Sequence, residues 1–92
     1  MPYTRKTLTI GDSTRNGLYQ ITDTNLHGDI LQVTVRELIG EHRLPVERLE
    51  AMRRLARRAV ERPETIVSAR TVNQCFWQGS WHVTFAIVRV TI

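Results

Sequence analysis

Hydrophobic positions between residues 45 and 62 recur at the three- and four-residue spacing of one face of an α-helix. The apolar side consists of Val46, Leu49, Met52, Leu55, Ala56, Ala59 and Val60. Pro45 stands where a helix start tolerates a missing N–H, and Pro63 cannot continue a helix. The pattern therefore predicts one long amphipathic helix over residues 45–62, with its apolar side packed against the rest of the chain.

Alternating apolar and polar residues predict three strands before this helix. The first strand is expected around residues 8–10 and the second over residues 17–22. The third runs from Ile30 to Val35, after turn-forming residues at 25–29. Because the connections are short, the three strands are expected to form an antiparallel β-meander.

The segment after Ile30 has an alternative interpretation, because its apolar residues as far as Ile39 also fit helical spacing. Its β-branched residues favour a strand up to about Val35. Thr34 and Glu37 then have the spacing of a helix capping box. A short helix is therefore expected from about Val35 to His42.

The last third of the chain predicts a β-hairpin, with strands over residues 64–78 and 81–92 and Gly79-Ser80 as a two-residue type II′ turn. The expected cross-strand pairs are Gln78–Trp81, Phe76–Val83, Gln74–Phe85 and Val72–Ile87 on the helix side, and Trp77–His82 and Cys75–Thr84 on the other. The predicted fold is a single α+β domain over residues 1–92. In it, a small antiparallel sheet, meander plus hairpin, packs against the long helix.

The composition is that of an ordinary globular protein, with 41% hydrophobic and 24% charged residues. The net charge of +4 favours acidic partners, and Lys6 is the only lysine among 13 basic residues. One cysteine excludes an intramolecular disulfide and favours a reducing compartment. The amino terminus lacks the apolar stretch of a signal peptide. A cytoplasmic protein is expected.

Charge is unevenly distributed along the predicted helix, because Glu47 and Glu50 precede a basic second half that contains only one acid, Glu61. The arginines of that half are Arg53, Arg54, Arg57, Arg58 and Arg62. Pairing of Glu50 with Arg53 or Arg54, and of Arg58 with Glu61, would give a self-paired, solvated face. The excess of arginine over acid favours instead contact with phosphate or carboxylate groups, which match the guanidinium fork.

Trp77 is the expected exposed indole at the hairpin tip and a candidate contact for a partner or a nucleic-acid base. Arg70 and Arg89 on the same hairpin would add charge. The three histidines and Cys75 lack metal-ligand spacing, and no nucleotide-binding or nucleophile motif occurs, so no metal, cofactor or catalytic residue is expected.

The expected order of a short helix and a long helix also resembles a helix-turn-helix. The leading end of the second helix, however, carries Glu47 and Glu50, which would repel DNA phosphates.

The 92-residue length, the opening MPYTRKTLTIGDSTRNGLY and the arginine-rich helix between small sheets resemble phage-encoded anti-CRISPR proteins. The chain is most similar to the eighth family of inhibitors of the type I-F surveillance complex. This resemblance implies a non-catalytic inhibitor that binds Cas subunits, contacts guide RNA and prevents target DNA from hybridising. The alternatives are a small basic module that binds RNA or DNA directly, and a structural or regulatory subunit that dimerises through its strands.

Overall fold

The computed structural model describes residues 19–38 and 42–90, which form a four-stranded sheet and one α-helix. The elements are β1 (Tyr19–His27), β2 (Ile30–Glu37), α1 (Val46–Arg57), a 3₁₀ turn (Pro63–Thr65), β3 (Ile66–Trp77) and β4 (Ser80–Arg89). Every neighbouring pair is antiparallel, in the order β1-β2-β4-β3. Because β4 lies between them, β2 and β3 run parallel and α1 connects them. The α+β fold with a small antiparallel sheet is confirmed, whereas the predicted strand at residues 8–10 lies outside the described residues.

The core lies between α1 and the two central strands. Alternate residues of these strands point toward the helix and are fully buried, as period-two patterning requires. Within these three elements, the residues at 0% exposure are Leu31, Val33 and Val35 of β2, Val83, Phe85 and Ile87 of β4, and Met52, Leu55 and Ala56 of α1. This burial fixes which face of each strand meets the helix and which faces away.

The helix is shorter than predicted, since it spans the 12 residues Val46–Arg57 rather than 45–62. After Arg57 the backbone tightens into bonds between residues three apart, with Ala59 N–H donating to the Ala56 carbonyl and Val60 N–H to the Arg57 carbonyl, both at 3.1 Å. Pro63 restricts only the residues just before it, since it disfavours α conformation at Arg62 and would collide with a helical carbonyl at Ala59. The helix ends two residues before Ala59, and the tighter bonds place Ala59 and Val60 in the core.

Most of the predicted apolar side of the helix is buried, but its first residue is not. Ala59 and Val60 remain in the core beyond the helix end, at 0% and 4% exposure. Val46 is 68% exposed, and the first turn is held instead by Leu49, which packs against the core, and by Arg48, which binds Glu37. Within the described residues, α1 is the longest helix, and no helix is long and apolar enough to cross a membrane.

The predicted short helix over residues 35–42 is wrong at its start, because β2 continues to Glu37. Val35 pairs with Val83 inside the sheet. The hydroxyl of Thr34 shares a hydrogen bond with the hydroxyl of Thr84 at 3.0 Å instead of capping a helix. Packing against the central strand β4 therefore overrides the local capping pattern. Residues 39–41 lie outside the described residues.

The C-terminal hairpin is confirmed, but its turn lies one residue earlier than predicted. Gln78 and Gly79 have φ values of 50° and 78°, and positive φ at both central residues is the mark of a type I′ turn. Phe76 therefore pairs with Trp81 rather than with Val83.

Strand β3 contains an extra residue opposite the centre of β4. The register shifts between Thr71 and Asn73, so Val72 has no partner in the ladder. Ala69 takes the place opposite Ile87 that Val72 was expected to fill, and Val72 is 47% exposed. The predicted helix-facing residues of β4 are thus correct, and those of β3 are wrong beyond the bulge.

Candidate partner-binding surface

The six arginines between residues 45 and 62 divide into two groups according to what their guanidinium groups contact. Arg48 and Arg53 bind acceptors within the fold. The other four are exposed: Arg54, Arg57, Arg58 and Arg62. This division decides which arginines are available to a partner.

Arg48 forms a two-pronged ion pair with Glu37, the last residue of β2. Its Nε donates to Glu37 Oε2 at 2.6 Å and its Nη2 to Oε1 at 2.8 Å. The same Nη2 donates to the Arg43 carbonyl at 2.8 Å. Glu37 is 1% exposed, and a buried carboxylate requires such a counter-charge. Arg48 thus joins the start of the helix to the end of the strand.

Arg53 ties α1 to the edge strand β3. Its Nη1 donates to the Ala69 carbonyl, its Nη2 to the Thr71 hydroxyl at 3.4 Å, and its Nε to Glu50 Oε2 at 3.2 Å. The guanidinium carbon also lies 5.4 Å from the centre of the Phe85 ring, within cation–π range. The expected Glu50–Arg53 pair is therefore present. Contact between Arg53 and a partner stays a prediction, but most donors of this side chain already have acceptors.

The exposed arginines cluster at the carboxyl-terminal end of the helix, and we call Arg54, Arg57, Arg58 and Arg62 the arginine surface. Arg54, Arg57 and Arg58 are spaced three and four apart and are neighbours on the helix surface. Within residues 19–38 and 42–90, no hydrogen bond or ion pair engages these four side chains, and the expected Arg58–Glu61 pair does not form. The helix dipole favours cations at this end and helps to accommodate them without acidic partners.

A buried tyrosine connects the arginine surface to the Glu37–Arg48 pair. Tyr19 begins β1, pairs with Glu37 across the sheet and is 4% exposed. Burial raises the pKa of Tyr19 above its ordinary value of 10.0, and the Glu37 charge raises this pKa further, whereas Arg48 and Arg54 oppose the rise. The field of Arg54 therefore reaches the start of β1.

Trp77 does not join the arginine surface. It ends β3 on the sheet face that points away from α1, with 58% of its surface exposed. Its ring meets that of His82 edge-on at 5.7 Å. Trp81 is half-buried on the helix side and packs against Phe76 at 5.4 Å. The contact residues predicted from the sequence thus occupy two separate surfaces.

Comparison of the chain with protein-family models, with curated proteins and with solved structures gave no match.

Proposed function

We propose that the protein is a non-catalytic phage inhibitor of a CRISPR-Cas surveillance complex of type I-F. It binds Cas subunits and guide RNA in the bacterial cytoplasm, so that target DNA does not hybridise. The resemblance of the whole chain to anti-CRISPR proteins supports this choice of target. The observation that carries the binding mode is the arginine surface, which is exposed and has no acidic partner among the described residues.

The chemistry of the arginine surface favours an anionic partner with fixed geometry. Guanidinium groups bind phosphate and carboxylate oxygens through paired hydrogen bonds. Neighbouring cations at Arg54 and Arg58 repel one another until a partner neutralises them. In a guide-RNA complex the matching groups are RNA phosphates and acidic side chains of Cas subunits.

The sign of the net charge distinguishes between two ways in which an inhibitor could prevent target DNA from binding to the complex. An inhibitor that imitates DNA would need a strongly negative surface, whereas this chain carries a net charge of +4. The protein therefore acts by occupying RNA and protein groups that the target strand needs. It does not act by replacing the DNA.

The direct test is target-DNA binding by a purified type I-F complex mixed beforehand with increasing amounts of the protein. We expect inhibition that is complete at a fixed molar ratio to the complex and weak when the DNA has hybridised first. The titration endpoint separates this function from that of a direct nucleic-acid binder. For an inhibitor of the complex, the amount of protein at the endpoint should be proportional to the concentration of complex. For a protein that coats nucleic acid, it should be proportional to the concentration of DNA. Unchanged DNA binding with the protein in excess would contradict the proposal.

A further inference from the structure

The sheet face opposite α1 carries residues that neither the core nor the arginine surface uses. Because Leu31, Val33, Val83 and Phe85 point into the core, their neighbours along each strand point away from the helix. We call this side the open face. Its polar and aromatic residues on β2, β4 and β3 are Gln32, Thr34, Arg36, His82, Thr84, Ser68, Arg70, Asn73, Cys75 and Trp77.

Three planar side chains belong to neighbouring positions at one end of the open face. Arg36 of β2 pairs with His82 of β4, and the indole of Trp77 lies 5.7 Å from the His82 ring at an interplanar angle of 62°. A guanidinium, an imidazole and an exposed indole are thus placed side by side across three strands. Nδ1 of His82 is buried without a hydrogen-bond partner in the part of the chain that the structure describes.

The charge of the open face favours an anion. Arg36 and Arg70 form no hydrogen bond or ion pair with their side chains among the described residues. None of the open-face residues named on β2, β3 and β4 is acidic, and Asp23 is the one acidic residue of the edge strand β1 as the structure describes it. Four residues of strand separate the rows of Arg36 and Arg70, which places these rows about 13 Å apart at ~3.3 Å per residue.

We propose that the open face binds single-stranded RNA. Unpaired bases stack on Trp77 and His82, and phosphates bind Arg36 and Arg70. A sheet reaches the flat faces of bases only when they are unstacked, so a duplex does not fit this arrangement. The amides of Asn73 and Gln32 both donate and accept hydrogen bonds, as the ribose 2′-hydroxyl does. The site extends the proposed function, but it lies on a different surface and binds RNA without the complex.

The experiment uses the full chain and a short fluorescein-labelled single-stranded RNA of mixed sequence, with binding measured by anisotropy at low salt. We expect Trp77→Ala to weaken binding roughly tenfold, from the loss of one stacked base, and Trp77→Phe to retain most of the affinity. In a Trp81→Phe background, the remaining tryptophan emission reports Trp77 alone and should be quenched on binding. Because Trp77 is 58% exposed, its replacement leaves the core in place.

A charge-matched pair of double variants tests the phosphate contacts. Arg36→Gln with Arg70→Gln removes two charges from the open face, and Arg54→Gln with Arg58→Gln removes two from the helix. The first pair should weaken RNA binding more and should reduce the salt slope by about 1.4, the value for two single-strand phosphates. Equal losses from both pairs, or binding unaffected by Trp77→Ala, would overturn the site, and equally tight binding of DNA of the same sequence would overturn its assignment to RNA.

These outcomes remain distinct from failure of the proposed inhibition. A protein that binds free RNA through Trp77 but does not affect the surveillance complex supports the open face and contradicts the proposed function. A protein that inhibits the complex but binds no single-stranded RNA at low salt supports the proposed function and contradicts RNA binding by the open face.

Discussion

Glu37 and Arg48 are joined by two hydrogen bonds of 2.6 and 2.8 Å, which connect the last residue of β2 to the first turn of α1. Glu37 is 1% exposed, and its charge is balanced by an arginine whose side chain is 22% exposed. The pair holds the first turn of the helix against the end of the strand.

Replacing Glu37 by Gln should destabilise the fold by about 2 kcal/mol, which is below the usual cost of breaking a fully buried pair because Arg48 is partly solvated. The measurement is chemical unfolding followed by circular dichroism. Glu50→Gln is the matched control, since it breaks the more exposed Glu50–Arg53 pair and should cost less than about 1 kcal/mol. Equal effects of the two variants would show that the Glu37 pair does not anchor the helix.

Arg53 should behave as a structural residue although it is an arginine of the same helix. Arg53→Met keeps the aliphatic stem but loses the bonds to Ala69 and Thr71 and the contact with Phe85, at an expected cost of about 1–2 kcal/mol. Arg57→Met, on the exposed side, should change the unfolding free energy by no more than about 0.5 kcal/mol. If Arg57→Met were the more damaging of the two, the division of the arginines into two groups would be wrong.

The hairpin turn offers a backbone test, because both of its residues have positive φ. Gln78→Asn should stabilise the protein by about 0.5 kcal/mol, since asparagine tolerates a φ of 50° better. Gly79→Ala should destabilise it by about 1 kcal/mol. No atom lies within 4 Å of a Cβ built at Gly79, so that loss would come from its φ of 78° alone. Thermal unfolding of both variants tests the turn type. If the turn were of type II′ at Gly79-Ser80, Gln78→Asn would not raise the unfolding temperature.

Tyr19 should make the stability fall in alkaline solution. Its pKa is raised in the folded protein by burial and by Glu37, so above pH 10.0 the folded state retains a proton that the unfolded state has lost. The stabilisation from this group is full below its unfolded pKa and disappears as the pH rises through its folded pKa. Unfolding free energies measured from pH 8 to 11 should therefore decline, and Tyr19→Phe should flatten the decline. An unchanged slope in Tyr19→Phe would rule out this origin.

Local pattern in the sequence was sufficient to locate the strands and the hairpin, but not their ends. Residues 25–27, predicted as part of a turn, continue β1 as far as His27, so this strand ends later than the predicted residue 22. Period-two alternation correctly placed Val83, Phe85 and Ile87 toward the helix. The bulge at Val72 could not be predicted, because a single inserted residue leaves no mark on a strand that is polar on both sides. Pro63 did not locate the end of the helix, because the helix ends at Arg57 and the chain continues through Ala59 and Val60 with bonds between residues three apart.

The arginines show a second limit of sequence reasoning. On a helical wheel, Arg53 lies near the margin of the polar side. Arg48 has no acidic residue three or four positions away in the helix, so the helix alone gives no sign that Arg48 forms an ion pair. Their partners, Glu37 for Arg48 and Ala69 for Arg53, are 11 and 16 residues away and belong to strands on either side of the helix in the chain. Such partners are fixed by topology, which a local pattern does not contain. The arginines predicted to contact a partner therefore include Arg53, whose guanidinium group is largely occupied by contacts within the fold.

Binding of the variant Arg54→Glu with Arg58→Glu to an immobilised type I-F surveillance complex tests the central claim most directly. Both side chains are exposed, so the unfolding temperature should stay within a few degrees of the unchanged protein. The control for altered charge is Arg43→Glu, an exposed residue before the start of the helix that belongs to neither the arginine surface nor the open face. We predict that the double variant loses detectable binding and inhibition while the control retains both. Retention of the double variant on the complex at the level of the unchanged protein would contradict the account.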